Sequence, residues 1–232
     1  MAAEGAGKPE LKRALEALLE ARGLRAALAG AARAPVEADA RGALTPPAAG
    51  AITEVVGRAG ATSLALHWAA TCPGQIAWVD ASDRLDPEGA ARAGVELTRL
   101  LWVRGAEEKS AAVPALRAAQ LLLRAGGFAL VVLDLRDLGA VEAARATWFR
   151  LLRGLERERR TALVVLAQTP LAGPCADRVL SARHARRQWN QAGELLLEGA
   201  RLEVETLATR RNAFAGKRPP ERVAEIEIEL SA

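Results

Sequence analysis

Tyrosine is absent from this chain of 232 residues, and cysteine and histidine occur only twice each. Cys72 and Cys175 lie far apart with no metal-ligand spacing. That excludes a disulfide framework and leaves two reduced thiols of the kind a cytoplasmic protein carries. His67 and His184 have no neighbouring Cys or His, so no metal site is expected; His67 reads as packed and His184 as a surface residue. Spacing offers no Ser–His–Asp or Cys–His arrangement for nucleophilic catalysis. No apolar run approaches the ~20 residues of a membrane-spanning helix. Met1 to Lys12 lacks the apolar stretch of a secretory signal, and a cytoplasmic location without membrane contact is the expectation. The missing tyrosine goes with abundant Ala, Leu, Arg and Gly, a mark of GC-rich codon usage rather than of function.

What is present is apolar patterning along the whole chain, enough for one substantial α/β core. A net charge of +4 and a pI near 9.7 permit contact with nucleic acid without demanding it. The cations are unevenly placed. Between Arg183 and Arg218 eight Lys/Arg (Arg183, Arg186, Arg187, Arg201, Arg210, Arg211, Lys217, Arg218) stand against four Glu.

Leu11, Leu15, Leu18 and Leu19 recur at helical spacing with charged residues between them, which predicts an amphipathic helix stopping near Gly23. Such a helix either docks on a partner or folds back on its own sheet. With a second short helix and an Ala/Pro/Gly-rich linker, residues 1–45 form an N-terminal segment ahead of a domain at 46–232. In that domain, apolar runs at 51–56, 75–80, 100–105, 128–134 and 161–167 alternate with helical patterns at 62–71, 87–94, 111–125 and 140–158. Runs that are apolar at nearly every position suit strands covered on both faces. The alternation predicts a mostly parallel sheet flanked by helices. Residues 201–207 and 222–230 instead alternate apolar and polar, which predicts antiparallel strands at the C-terminal side. Trp68, Trp78, Trp102 and Trp148 fall within apolar patterns and are expected in the core.

The segment EVVGRAGATSLAL at 54–66 is a strand, a glycine-bearing turn and a helix opening with Thr62 and Ser63. A phosphate-binding loop belongs at such a junction, because backbone N–H groups and a helix N-terminus attract anions there. A working loop needs four residues between its glycines and then Lys-Ser/Thr. Here only Arg58 and Ala59 separate Gly57 from Gly60, and Ala61 stands in the lysine's place. The shortened turn offers fewer N–H groups, and no lysine reaches the developing charge. Two readings follow: a tight strand-to-helix turn, or a site in which Arg58 substitutes as the cation.

VDASDRLDP at 79–87 resembles the IDAEHALDP-like motif of RecA, and GVELTRLLWVRG at 94–105 resembles the segment that follows it. The resemblance spans roughly residues 50–230 and implies a RecA-like core. It puts Asp134 at the Walker B aspartate and Gln168 at the glutamine that senses the γ-phosphate. It also puts Ser82 where the catalytic glutamate stands and Ala61 at the lysine. Gly57, Gly60, Thr62, Ser63, Asp134 and Gln168 are on this basis a vestigial nucleotide site. Leu135 to Ala140 and Thr169 to Arg178 are short beside the two DNA-binding loops of RecA, so filament formation is not expected. A RecA-like core with an eroded loop, a Leu-rich N-terminal helix and a basic stretch ATRRNAFAGKRPP at 208–220 is similar to the ImuA family of inducible bacterial mutagenesis. That resemblance implies a non-enzymatic partner role, without a cofactor, in translesion synthesis. The implied partners are ImuB, an inactive Y-family polymerase homologue, an error-prone DNA polymerase, and RecA.

Arg183, Arg186, Arg187 and Trp189 place three cations and an aromatic within seven positions, a cluster able to neutralise phosphates and stack a base of single-stranded DNA. The plainer alternative is a solvated helix face with one Trp against the core. Arg210, Arg211, Lys217 and Arg218 fall in a connection between two strands that reaches DNA or an acidic partner. The expectation is a non-hydrolysing adaptor, set against two rivals: an ATPase with an atypical loop, and a sequence-independent DNA-binding module.

Overall fold

The computed structural model describes residues 45–57, 60–105, 112–136, 145–189, 197–209 and 223–229; for 184–189, 197–201 and 223–229 the description is of the backbone. The expected N-terminal helix with Leu11, Leu15, Leu18 and Leu19 lies outside these residues, as do Arg58, Arg210, Arg211, Lys217 and Arg218.

The apolar runs become strands. β1 (Ile52–Val56) and β5 (Ala162–Ala167) are buried at every position. β2 (Gln75–Asp80), β3 (Leu100–Arg104) and β4 (Phe128–Asp134) complete the expected parallel set. Between them lie α1 (Ala61–Thr71), α2 (Pro87–Arg92), α3 (Ala112–Ala125) and α4 (Arg145–Glu158). α3 buries Ala115, Leu116, Ala119, Leu122 and Leu123, and α4 buries Trp148, Leu151, Leu152 and Leu155. Both sets follow the one-face spacing of an amphipathic helix.

After β5 the chain adds β6 (Ala176–Trp189), β7 (Leu197–Thr209) and β8 (Val223–Glu229). The eight strands form one sheet in the order β3-β2-β4-β5-β1-β6-β7-β8. Neighbours from β3 through β6 are parallel, and β7 and β8 are antiparallel additions. The path from β1 to β2 travels one way across the sheet, and β3 to β4 to β5 returns the other way. Right-handed crossovers therefore put α1 on one face and α3 and α4 on the opposite face. The buried residues divide accordingly. Leu64, Ala65 and Trp68 of α1 pack with Trp78, Val132 and Val164, whereas Leu116, Leu122, Trp148 and Leu151 pack with Val131, Leu133 and Val165.

Two expectations need correction. The basic segment from Arg183 to Trp189 is not a helix face: it continues β6, whose first residues pair with β1 and the rest with β7. From Arg183↔Glu203 to Trp189↔Leu197 its backbone groups are satisfied by β7, which a helix could not offer them. The stretch after Gln168 also ends earlier than Arg178: a 3₁₀ turn at Gly173–Cys175 leads straight into β6 at Ala176. Trp68, Trp78 and Trp148 are core residues as expected, whereas Trp102 is only half-buried.

Candidate functional site

The carboxyl ends of β1, β4 and β5 meet the N-terminus of α1 beside the point where strand order reverses, the place where open α/β sheets hold ligands. β1 runs into Gly57, whose N–H donates to the Ala167 carbonyl at 3.1 Å. The turn closes at Gly60, which caps α1 with φ 92° and has no side chain to offer the helix. Gly57 has φ 128°, and a Cβ there would stand 3.2 Å from the Ala182 carbonyl oxygen. A Cβ on Gly60 would stand 2.9 Å from the Arg183 nitrogen. Both glycines are thus required by the backbone of β6 passing close behind them. Thr62 and Ser63 are half-buried in the first turn of α1, while Ala61 is wholly buried in the core. No lysine can stand at position 61 without repacking that core.

Asp134 ends β4, and β5 separates it from β1. At ~4.8 Å per strand the carboxylate lies two strands, roughly 10 Å, from the turn. It already has a cation. Asp134 Oδ2 accepts from Arg136 Nη2 at 2.6 Å, and Oδ1 accepts from Arg136 Nε at 3.0 Å and from the Arg136 backbone N–H at 3.2 Å. The two side chains are 8% and 13% exposed, so water screens this fork only weakly. Gln168 Nε2 donates to the Arg136 carbonyl at 2.6 Å. The structure thus brings Asp134 and Gln168 together, but through Arg136, which sequence reasoning missed. Its signal was the Asp-Leu-Arg spacing at the end of β4, where the chain turns and residue i+2 returns to the side of residue i.

The RecA fold implies a magnesium–nucleotide complex here, and the residues present do not fit one. Magnesium needs free oxygen ligands in near-octahedral geometry. Both Asp134 oxygens are bonded to a guanidinium, position 61 is a buried alanine, and the flanking glycines rest on β6. Among the described residues no group of three or more His, Cys, Asp or Glu is placed to hold a metal.

The VDASDRLDP segment is a turn-and-cap device. Asp80 is fully buried, and its Oδ2 accepts from the Leu85 N–H at 2.7 Å and from Trp102 Nε1 at 3.3 Å. Asp86 caps α2 by accepting from the Glu88 N–H at 3.0 Å, and Pro87 occupies the first turn, where its missing N–H costs nothing. Arg104 donates from Nε to Asp83 Oδ1 at 2.6 Å while lying 4.8 Å over the Trp102 ring. That guanidinium holds the Asp83 carboxyl below the usual carboxylate range. Ser82, in the catalytic glutamate's place, has a buried Oγ with no hydrogen-bond partner.

Two other charged residues, buried Glu54 and half-buried Arg178, were not singled out by sequence. Glu54 lies inside β1 at 0% exposure, and its Oε1 accepts from the N–H groups of Leu171 and Ala172 at 2.7 and 2.9 Å. Burial pushes its carboxyl up from the ordinary value, against the pull of those two N–H groups. Arg178 reaches across β1 to Thr53 Oγ1 and the Thr45 carbonyl and lies 5.7 Å over the Trp68 ring. Burial lowers its pKa while neighbouring Asp177 opposes the shift.

The first basic group is spread along β6. Arg183 is exposed and pairs with Glu203 of β7. Arg186, Arg187 and Trp189 pair in register with Arg201, Ala200 and Leu197 toward the far end of β6. The connection carrying Arg210, Arg211, Lys217 and Arg218 leaves β7 after Thr209, opposite Arg178, and rejoins the sheet at Val223. Its anchor points are therefore at the opposite end of β6.

No family model matches the chain, and no curated protein does. Among solved structures the crystal structure of the RadB recombinase is similar at 16% identity, covering 80% of this chain and 89% of that one with a TM-score of 0.56. That likeness establishes the fold: the domain is a RecA-like α/β core. Among the described residues no helix is long and apolar enough to cross a membrane.

Proposed function

We propose that the protein is a non-hydrolysing RecA-like accessory protein of DNA-damage-induced translesion synthesis. On this reading it is not an enzyme and needs no cofactor. It acts through contacts with an ImuB-like inactive Y-family polymerase, an error-prone DNA polymerase and RecA, helped by single-stranded DNA binding at its basic residues. The observation that carries the reading is the fork between Arg136 and Asp134, which leaves the one surviving catalytic acid without a free oxygen for a cation. Its accessory role is supported by the ImuA-like combination of the VDASDRLDP segment, the eroded loop and the basic 208–220 stretch on a fold shared with a recombinase.

A nucleotide-binding second reading has one observation in its favour: α1 has no acidic residue in its first turn, and an uncompensated helix N-terminus attracts phosphate. Calorimetric titration with an ATP analogue and Mg²⁺, hydrolysis assayed on the same sample, and co-purification with an ImuB-like homologue separate the two. The expected result is retention of the homologue with neither nucleotide binding nor turnover. Micromolar nucleotide binding would overturn the proposal in favour of the second reading.

A further inference from the structure

Two carboxylates stand side by side at the carboxyl edge of the sheet. Asp80 and Asp134 are register partners on β2 and β4. Trp78 and Val132, two positions earlier in each strand, belong to the core under α1, so both acids turn toward that same face. Asp80 is 0% exposed and Asp134 is 6% exposed, and Asp80 Oδ1 is buried with no hydrogen-bond partner. Adjacent buried carboxylates repel unless a cation lies between or beside them. Arg136 supplies that cation on the Asp134 side of the pair.

We infer that Arg136 is a built-in counter-ion that has taken over the position of the divalent cation, so that the Asp80–Asp134 pair is a latent metal site closed by the chain itself. Three features make the replacement more than a surface ion pair. The planar fork engages both Asp134 oxygens, which a cation would need. The Arg136 backbone N–H closes the same turn onto Oδ1, so the residue is held at two points. Its carbonyl accepts from Gln168, tying the ends of β4 and β5 together.

This inference rests on the non-hydrolysing reading, but it fails independently of it. The experiment uses the full chain with Mn²⁺ as the probe and thermal unfolding as the readout. Arg136→Ala removes one partner of a buried pair and is expected to lower Tm on the order of 10 °C. Millimolar Mn²⁺ is expected to restore much of that loss in Arg136→Ala while leaving the wild type unmoved. The rescue disappears in the double variant Arg136→Ala/Asp134→Asn. Arg136→Gln, which keeps hydrogen bonding without charge, is expected to respond to Mn²⁺ in the same direction and serves if the alanine variant does not fold. A folded Arg136 variant that ignores Mn²⁺, or a wild type stabilised by Mn²⁺ through Asp134, overturns the inference. Nucleotide binding by the wild type would instead sink the adaptor reading.

Discussion

The backbone nitrogen of Arg183 lies 2.9 Å from the point that a Cβ on Gly60 would occupy. β6 thus sets the shape of the turn from behind, and the glycines that look like remnants of phosphate binding are demanded by packing. Gly60→Ala meets a left-handed backbone, costing roughly 1–2 kcal/mol, and a backbone clash that adds a similar amount. A loss of about 2–4 kcal/mol in urea unfolding is expected. A neutral substitution would show that the turn is free of β6.

Restoring the missing catalytic groups tests the same turn from the other side. Ala61→Lys with Ser82→Glu returns the residue types of a working site but not the length of its loop. Because Ala61 is wholly buried, the lysine is expected to lower Tm markedly, and because Asp134 is engaged by Arg136, ATP turnover stays at background. Turnover above that of the wild type would show that the site is intact enough to be repaired.

Glu54 predicts a pH signature. Its folded pKa is raised above the ordinary 4.5, chiefly by burial. The stability it contributes is therefore fully present below about 4.5 and is lost as pH rises through the folded value. Glu54→Gln keeps an oxygen for Leu171 and Ala172 and removes the ionisation. The difference in urea midpoint, wild type minus variant, is expected to fall between pH 4 and pH 8. A flat difference would mean the carboxyl titrates as an ordinary one.

The two basic groups predict separable effects on DNA. Arg178, beside the point where the 210–222 connection leaves the sheet, is eight residues from Arg186 and eleven from Trp189 along β6, roughly 25–35 Å. Alanine at Arg186 and Arg187 and alanine at Arg210, Arg211, Lys217 and Arg218 are expected to weaken single-stranded DNA binding additively, each lowering the salt slope by ~0.7 for every phosphate no longer neutralised. Strong non-additivity in fluorescence titrations at several salt concentrations would place both groups on one short strand of DNA.

Strand–helix alternation was legible because burial on both faces leaves an unbroken apolar run such as ALVVLA at 162–167, and no other element of that length needs one. The β7 and β8 strands showed through alternation of apolar and polar residues, which in β7 puts Leu202 and Val204 in the core. β6 was hidden because its basic residues carry no apolar run; it is a strand because β1, far back in the sequence, and β7, next along the chain, offer it hydrogen bonds. Asp134 and Gln168 were singled out by motif, while their link through Arg136 was not, since a guanidinium two residues from an acid is usually solvated.

By itself the sequence determined the strand–helix alternation of the core, the short glycine turn without a lysine that follows β1, and the unequal placement of charge, because each is written in local pattern and spacing. Only the tertiary structure decided that β6 backs the two glycines, that Arg136 closes on Asp134, and that Arg183 to Trp189 extend β6 against β7. Those facts depend on register between distant segments, and register is fixed by which backbone edges and buried faces remain to be covered once the core has packed.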